Sequence, residues 1–269
     1  MIELVDVSKS YRKNIFGGQR TEIVKDVSFR IQAGETLGLI GASGCGKTTL
    51  AKIATRLIKP TTGQIKFDGA DITTIKEADM RKKRQHVQIM FQNPESALNP
   101  RIKIYDSIAE IMRIHKIHQK NSSEERKKVK ELIEIVGLQE EHLLRYPGEL
   151  SGGQVQRAVL ARVLSIDPKF IVADEPTSML DVSVQAQILK ILKTAQKEYH
   201  FACLFISHNI GVVKAVSDRI AVMNEGVILE SGVTDEVIDS PKTEFTKALM
   251  NNYYSDFYVE LDEVGKQVS

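Results

Sequence analysis

One stretch near the start of the chain, residues 36–54, restricts the fold more than any other. Its first five residues are mostly apolar, residues 41–48 read Gly-Ala-Ser-Gly-Cys-Gly-Lys-Thr, and the last six have the composition of a helix. The middle part matches G-x-x-x-x-G-K-[ST], a loop whose backbone N–H groups surround phosphate oxygens. A strand before such a loop and a helix after it are the expected context, so the stretch predicts a phosphate-binding unit in an α/β fold.

The residue types of this loop suit a nucleoside triphosphate and its metal ion. Glycines at three positions let several N–H groups converge on one anion, and the following helix directs its positive end at the same point. Lys47 supplies a point charge for the outer phosphates, and the hydroxyl of Thr48 is a ligand for Mg²⁺. The predicted nucleotide-binding residues of the loop are Gly41, Ser43, Gly44, Cys45, Gly46, Lys47, Thr48 and Thr49.

Two carboxylates follow a second apolar run. Residues 170–173, Phe-Ile-Val-Ala, have the composition of a buried strand, and Asp174 and Glu175 come directly after it. Because parallel sheets place ligand sites at the carboxyl ends of their strands, Asp174 is predicted to meet the Mg²⁺ held by Thr48, through water. Glu175 then lies beside the γ-phosphate and is the candidate general base for an attacking water.

A second glycine-rich helix start occurs at residues 150–154, Leu-Ser-Gly-Gly-Gln. Ser151 is predicted to cap the helix that follows, and the two glycines leave its N–H groups accessible to an anion. One nucleotide has no evident need for two such starts on one chain. Two copies that meet head to tail would place this second start over the partner's γ-phosphate. The alternative interpretation is an ordinary capped helix after a glycine-rich turn.

Composition argues against several other classes of protein. The net charge of +2 gives no strong field for nucleic acid, and only Cys45 and Cys203 are present, so neither a disulfide framework nor a metal cluster is supported. No apolar run approaches the roughly 20 residues that span a bilayer, and the first residues do not read as a signal peptide, so we expect a cytoplasmic protein. The basic run 81–86 is interpreted as a solvated face.

Hydrophobic periodicity divides the chain. Residues 2–7 and 27–31 alternate like strands and predict an antiparallel β-layer at the start, with a flexible loop at 13–22 between them. Residues 99–164 show helical periodicity and are predicted to form a helical subdomain inserted into the α/β core. We expect one domain over residues 1–252 and a C-terminal tail over 253–269.

The motifs occur in an order that resembles the ATP-binding cassette (ABC) family over about residues 2–250. Besides the segments above, Phe-Gln at 91–92, Val-Ala-Asp-Glu-Pro at 172–176, Ser-Met-Leu-Asp at 178–181 and His208 take part in this resemblance. Residues 91–101 and 180–192 resemble the peptide and nickel importers of the family. The resemblance implies a P-loop ATPase core with ATP and Mg²⁺ as its ligands. Met179 and Asn209 depart from the usual pattern without removing a phosphate-contacting group.

The resemblance also implies roles for individual residues. Tyr11 would stack on adenine. The alternative interpretation is an ordinary tyrosine on an edge strand. Gln92 would contact Mg²⁺ or the attacking water and sense a membrane subunit, and His208 would contact the γ-phosphate and orient the water. Asp181 would contact the opposing subunit, and it can also act as a helix N-cap. The remaining residues implied to reach the nucleotide of the opposing subunit are Ser151, Gly153 and Gln154.

The resemblance implies an ATP-hydrolysing subunit of an importer of oligopeptides, dipeptides or nickel, bound to the cytoplasmic face of the cell membrane. Its implied partners are a second ABC ATPase subunit, identical or related, two integral-membrane permease subunits and, indirectly, an extracytoplasmic substrate-binding protein, but no nucleic acid. An alternative is an ATP-driven switch in nucleic-acid repair or translation. A single cassette without a long coiled coil argues against this alternative, and an exporter is disfavoured only by the subfamily resemblance.

Overall fold

Two sheets form the body of the chain in the computed structural model, which describes residues 1–12, 20–251 and 253. The smaller sheet is antiparallel, with the order β2-β1-β4-β5, and its strands are Ile2–Arg12 (β1), Arg20–Ile31 (β2), Thr62–Phe67 (β4) and Ala70–Asp71 (β5). The predicted β-layer is therefore present. The predicted loop at 13–22 is too long, because residues 20–22 pair with residues 10–12 and extend the hairpin. Residues 13–19 lie outside the described part.

The larger sheet has six strands in the order β10-β9-β3-β8-β7-β6. Its strands are Thr36–Gly41 (β3), Val87–Met90 (β6), Phe170–Asp174 (β7), Ala202–Ile206 (β8), Arg219–Asn224 (β9) and Val227–Val233 (β10). All neighbours run parallel except β9 and β10, which form an antiparallel hairpin. The register sets Leu39 and Asp174 opposite Ile206, so the ends of β3, β7 and β8 meet at one edge of the sheet.

The helices of the described part of the chain pack on both sheets and on one another. They are Lys47–Ala54 (α1), Glu77–Lys83 (α2), Ile104–Ile114 (α3), Ser123–Val136 (α4), Gly152–Leu164 (α5), Val182–Tyr199 (α6), Ile210–Val216 (α7) and Thr234–Asp239 (α8). Residues 244–251 are also helical. Helices α2 and α7 were not predicted from the sequence, because each has only seven residues, too few to show a clear helical period. Residues 252 and 254–269, most of the predicted tail, lie outside the described part.

The segment between residues 99 and 164 contains helices and short 3-10 turns, with no strand among its residues, all of which are described. Ser122 caps α4 by accepting the N–H of Glu125, and Gly137 ends this helix in a left-handed conformation. Glu125 is fully buried, and Arg113 holds its carboxylate at 2.6 and 2.7 Å. This bidentate contact is the main cause that lowers the pKa of Glu125, so the acid joins α3 to α4 as a buried ion pair.

Candidate functional site

A cleft of about 520 Å³ opens at the carboxyl edge of the larger sheet. The phosphate loop, the end of β7 and the segment that follows β8 come together in this cleft. Eleven described residues line it: Ile23, Ser43, Gly44, Gly46, Lys47, Thr48, Thr49, Gln92, Asp174, Glu175 and His208. The parallel register brings these groups together, although more than a hundred residues separate some of them.

The backbone of the phosphate loop explains why two of its positions need glycine. A Cβ atom at Gly41 would lie 1.9 Å from the carbonyl oxygen of Met223, and one at Gly46, where φ is 109°, would lie 2.6 Å from that of Ile23. Neither contact is possible, because both obstacles are backbone atoms. Lys47 begins α1, and its Nζ donates to the carbonyl oxygens of Gly41 and Ala42 at 2.8 and 2.9 Å, so its ammonium group lies over the loop.

Asp174 is a buried carboxylate at the floor of the cleft. It is 6% exposed, and burial is the main cause that raises its pKa above the ordinary value. A hydrogen bond with the Thr48 side chain and the positive charge of Lys47 act in the opposite direction. The two residues predicted to serve one metal ion therefore lie close together in the cleft. Their oxygens are the hard donors that Mg²⁺ prefers.

Glu175 lies between two of the other predicted residues. One carboxylate oxygen accepts a hydrogen bond of 2.9 Å from Nε2 of Gln92, and the other lies 3.3 Å from Nδ1 of His208. The residue has a φ of 49°, in the left-handed region, and its N–H donates to the carbonyl oxygen of Ile206 at 2.9 Å. This turn directs the carboxylate out of the sheet and into the cleft, which the sequence did not reveal.

Residues 150–154, the signature segment, form the second glycine-rich helix start. Ser151 caps α5: its Oγ accepts the N–H of Gln154 at 3.4 Å, and the Gln154 side chain accepts the N–H of Ser151 at 3.0 Å. A Cβ atom at Gly153 would lie 2.5 Å from Cγ1 of Val184, so this glycine also lets α5 pack against α6. None of the segment's residues lines the cleft of its own chain.

Two further predicted residues lie away from the cleft. Asp181 is exposed and is the N-cap of α6, since its carboxylate accepts the N–H of Val184 at 2.9 Å. Tyr11 lies on β1, is 45% exposed and has Nζ of Lys9 5.2 Å from its ring centroid. Ile23, on the neighbouring strand, lines the cleft instead. No sequence signal would have indicated Ile23, because it reads as an ordinary strand residue.

Comparisons with known proteins agree with this geometry. A family model described as ABC transporter matches residues 24–178, more than half of the chain. This chain belongs to the ABC transporter family. The oligopeptide transport ATP-binding protein OppF of Bacillus subtilis is 46% identical over 232 residues, covering 85% of this chain and 75% of OppF. A di/tripeptide transport ATP-binding protein, DppF of Pseudomonas aeruginosa, is 41% identical and covers 91% and 76% of the two chains.

Solved structures show the same cassette fold. A dimeric ATP-binding cassette in a post-hydrolysis state, bound to ADP and Pi, superposes with a TM-score of 0.77 at 28% identity, covering 87% of this chain and 99% of that one. The chain is therefore an ATPase of the ABC family with a P-loop core, as the sequence predicted. In the described part of the chain, no helix combines the length and apolar composition needed to cross a membrane.

Proposed function

We propose that the chain hydrolyses ATP to drive uptake of short peptides through separate permease subunits. The observation that carries this proposal is the Glu175 carboxylate, held between Gln92 and His208 at the opening of the phosphate-loop cleft. The relatives named above support the cargo class, since both are ATP-binding proteins of peptide transport. They give no support to a nucleic-acid switch.

The cleft provides the groups that hydrolysis requires. The N–H groups of the loop and the ammonium of Lys47 hold the outer phosphates. Glu175 accepts a proton from a water molecule as that water attacks the γ-phosphorus, and the hydrogen bond from Gln92 fixes one carboxylate oxygen toward this position. His208 contacts the other oxygen and, being exposed, can also reach a phosphate oxygen. ADP and inorganic phosphate are the products.

Thr48 and Asp174 would hold the Mg²⁺ that accompanies ATP. Both residues line the cleft, where they supply a hydroxyl and a carboxylate to one site. When bound, the ion neutralises charge on the phosphates. Its charge also stabilises the ionised form of Asp174, which burial alone disfavours. Gln92 lines the same cleft and is a further candidate contact for the ion or for the attacking water.

A second cassette would complete the site. The signature segment lies outside its own chain's cleft, so its N–H groups can serve a nucleotide only in another chain. Near it, Met179 and Val182 are 63% and 82% exposed, an apolar surface that association would cover. Together with Asp181, both residues would lie at the interface with the second cassette. The second cassette is another copy or a related ATPase, and permease subunits would hold the pair at the cytoplasmic face of the membrane.

Uptake assays test the function and the cargo together. Cells that carry either the wild-type chain or Glu175→Gln are supplied with labelled peptide and, separately, with labelled nickel. Because Gln cannot accept the proton, ATP hydrolysis should fall about 10²–10⁴-fold while ATP binding remains, and peptide uptake should be lost. Loss of nickel uptake alone would show that the transported cargo is nickel and not peptide. Unchanged uptake of both, or near-normal hydrolysis by the variant, would refute the proposal.

A further inference from the structure

His142 lies buried beside the signature segment, although it belongs to a different element. It is in the 3-10 turn Glu140–Leu144 and is 8% exposed. Its Nδ1 accepts a hydrogen bond of 3.0 Å from the backbone N–H of Gln139, which closes the start of the turn. The Glu141 carboxylate lies 3.9 Å from Nε2, too far for a hydrogen bond, and pairs with Arg145 at 3.1 Å. The turn therefore fixes the imidazole ring.

The other ring nitrogen of His142 meets the last residue of the signature segment. Its Nε2 lies 3.2 Å from the amide nitrogen of Gln154. The carbonyl oxygen of the same amide accepts the backbone N–H of Ser151 at 3.0 Å. A single side-chain amide thus connects a buried histidine of the helical segment to the exposed start of α5.

The hydrogen-bond donors along this series of contacts outnumber the acceptors, so they cannot all be paired at once. A neutral imidazole carries one proton, and because Nδ1 accepts the Gln139 N–H, that proton is on Nε2. The Nε2–H donor then points at the NH₂ group of Gln154, which is also a donor. Turning the amide over would satisfy His142 but would set the NH₂ group against the N–H of Ser151. The Gln154 carbonyl oxygen therefore serves either Ser151 or His142.

We propose that His142 is a positioning residue for ATP hydrolysis, which takes the Gln154 oxygen from Ser151 when the signature segment engages the nucleotide of a second cassette. The inference rests on the proposed function. In the arrangement of the single chain, Gln154 occupies the N–H of Ser151. After the amide turns, Nε2–H of His142 satisfies the oxygen, and the N–H of Ser151 is released to a phosphate oxygen, the partner that helix N-termini favour.

A pair of substitutions separates this role from a purely structural one. In His142→Asn the side-chain oxygen is attached to Cγ, as Nδ1 is, so it keeps the contact with Gln139 but cannot reach Gln154. In His142→Gln the longer amide reaches Gln154 and offers both a donor and an acceptor. We expect kcat for ATP to fall about fivefold in His142→Asn and to recover in His142→Gln, with unchanged ATP affinity in both and an unchanged melting temperature in His142→Asn.

Glu141→Gln is the matched control, because it removes the neighbouring charge without touching either hydrogen bond of the ring. It should keep the wild-type kcat. Wild-type kcat in His142→Asn, or a His142→Gln variant no faster than His142→Asn, would overturn the proposal. A drop in melting temperature that accompanies the loss of kcat in His142→Asn would also overturn it, since the turn alone would then explain the effect.

Nitrogen NMR of the wild-type chain tests the same idea without any variant or hydrolysis. Histidine labelled with ¹⁵N should show His142 with a protonated Nε2 and an unprotonated Nδ1. A protonated Nδ1 would remove the competition for Gln154 and overturn the proposal. Failure of the proposed function is distinguishable, because it would appear as Glu175-independent hydrolysis and would leave this spectrum unchanged.

Discussion

The two glycine-rich helix starts of this protein differ in how their backbone groups are satisfied. At the phosphate loop, no side chain caps α1, and Gly41 and Gly46 are required by nearby backbone atoms. At the signature segment, Ser151 and Gln154 cap α5 reciprocally, and Gly153 is required by a side chain of α6. The first start is thus arranged for an anion within its own chain. At the second start, the N–H groups of Ser151 and Gln154 are already paired within the chain.

Lys47→Ala should have the largest effect on the first of these starts. It removes the ammonium group from the loop, so ATP affinity should fall about 10²-fold through the lost charge-assisted contacts. Titration of the chain with a fluorescent ATP analogue measures this. Lys52→Ala is the matched control. It also removes one positive charge from α1, but Lys52 does not line the cleft. Tight binding by Lys47→Ala would contradict the role assigned to the loop.

Ser151→Ala should act on the second start and leave the first intact. We expect hydrolysis to fall about tenfold while the chain binds ATP normally, because in the proposed pair the lost hydroxyl would serve another chain's nucleotide. Ser122→Ala is the control, since it removes an equivalent cap, from α4, at a similar cost of about 0.5–2 kcal/mol. An equal loss of hydrolysis in both variants would mean that Ser151 acts only as a helix cap.

Mixing variants sharpens the same comparison. A pair made of one Ser151→Ala chain and one Lys47→Ala chain contains one site with an intact phosphate loop and an intact signature segment. The mixture should therefore hydrolyse ATP faster than the sum of the two variants measured separately. Glu175→Gln mixed with Lys47→Ala should show no such gain, because both changes affect the loop side of the site. A gain in both mixtures, or in neither, would contradict the head-to-tail arrangement.

In the absence of Mg²⁺, Asp174→Asn should have the smallest effect of these changes, and it should act on the stability of the chain. The pKa of the buried carboxylate is raised, so the folded chain binds a proton more readily than the unfolded chain. Its charge is thus unfavourable above the folded pKa, and this penalty shrinks as the pH falls through that value. Without Mg²⁺ at neutral pH, the variant should melt a few degrees higher than wild type in calorimetry, and Mg²⁺ should stabilise only the wild type.

Glu125→Gln should change the melting temperature in the direction opposite to Asp174→Asn. The pKa of Glu125 is lowered, chiefly by Arg113, so its stabilisation is present above the unfolded pKa and is lost as the pH falls through the folded one. The variant should melt below wild type at neutral pH, because Arg113 loses its buried partner. If Asp174→Asn also melted lower, burial would not be the dominant influence on that carboxylate.

The sequence by itself determined the local parts of this protein. The phosphate loop, the buried strand that ends at Asp174, the stripe of α4 and the caps at Ser122 and Ser151 are all set by residues within a few positions of one another. Dihedral preferences, hydrophobic periodicity and helix caps depend on residues that are close in sequence. These features could therefore be predicted from the amino-acid sequence alone.

Only the tertiary structure decided how distant groups meet. Gln92 and Glu175 are 83 residues apart and share a hydrogen bond because β6, β7 and β8 are neighbours in one sheet. The steric need for glycine at position 46 depends on Ile23, and the contact between Gln154 and His142 joins the signature segment to the turn Glu140–Leu144. Strand order and register set such contacts, and neither is encoded in a local pattern, because any one strand can pair with several others.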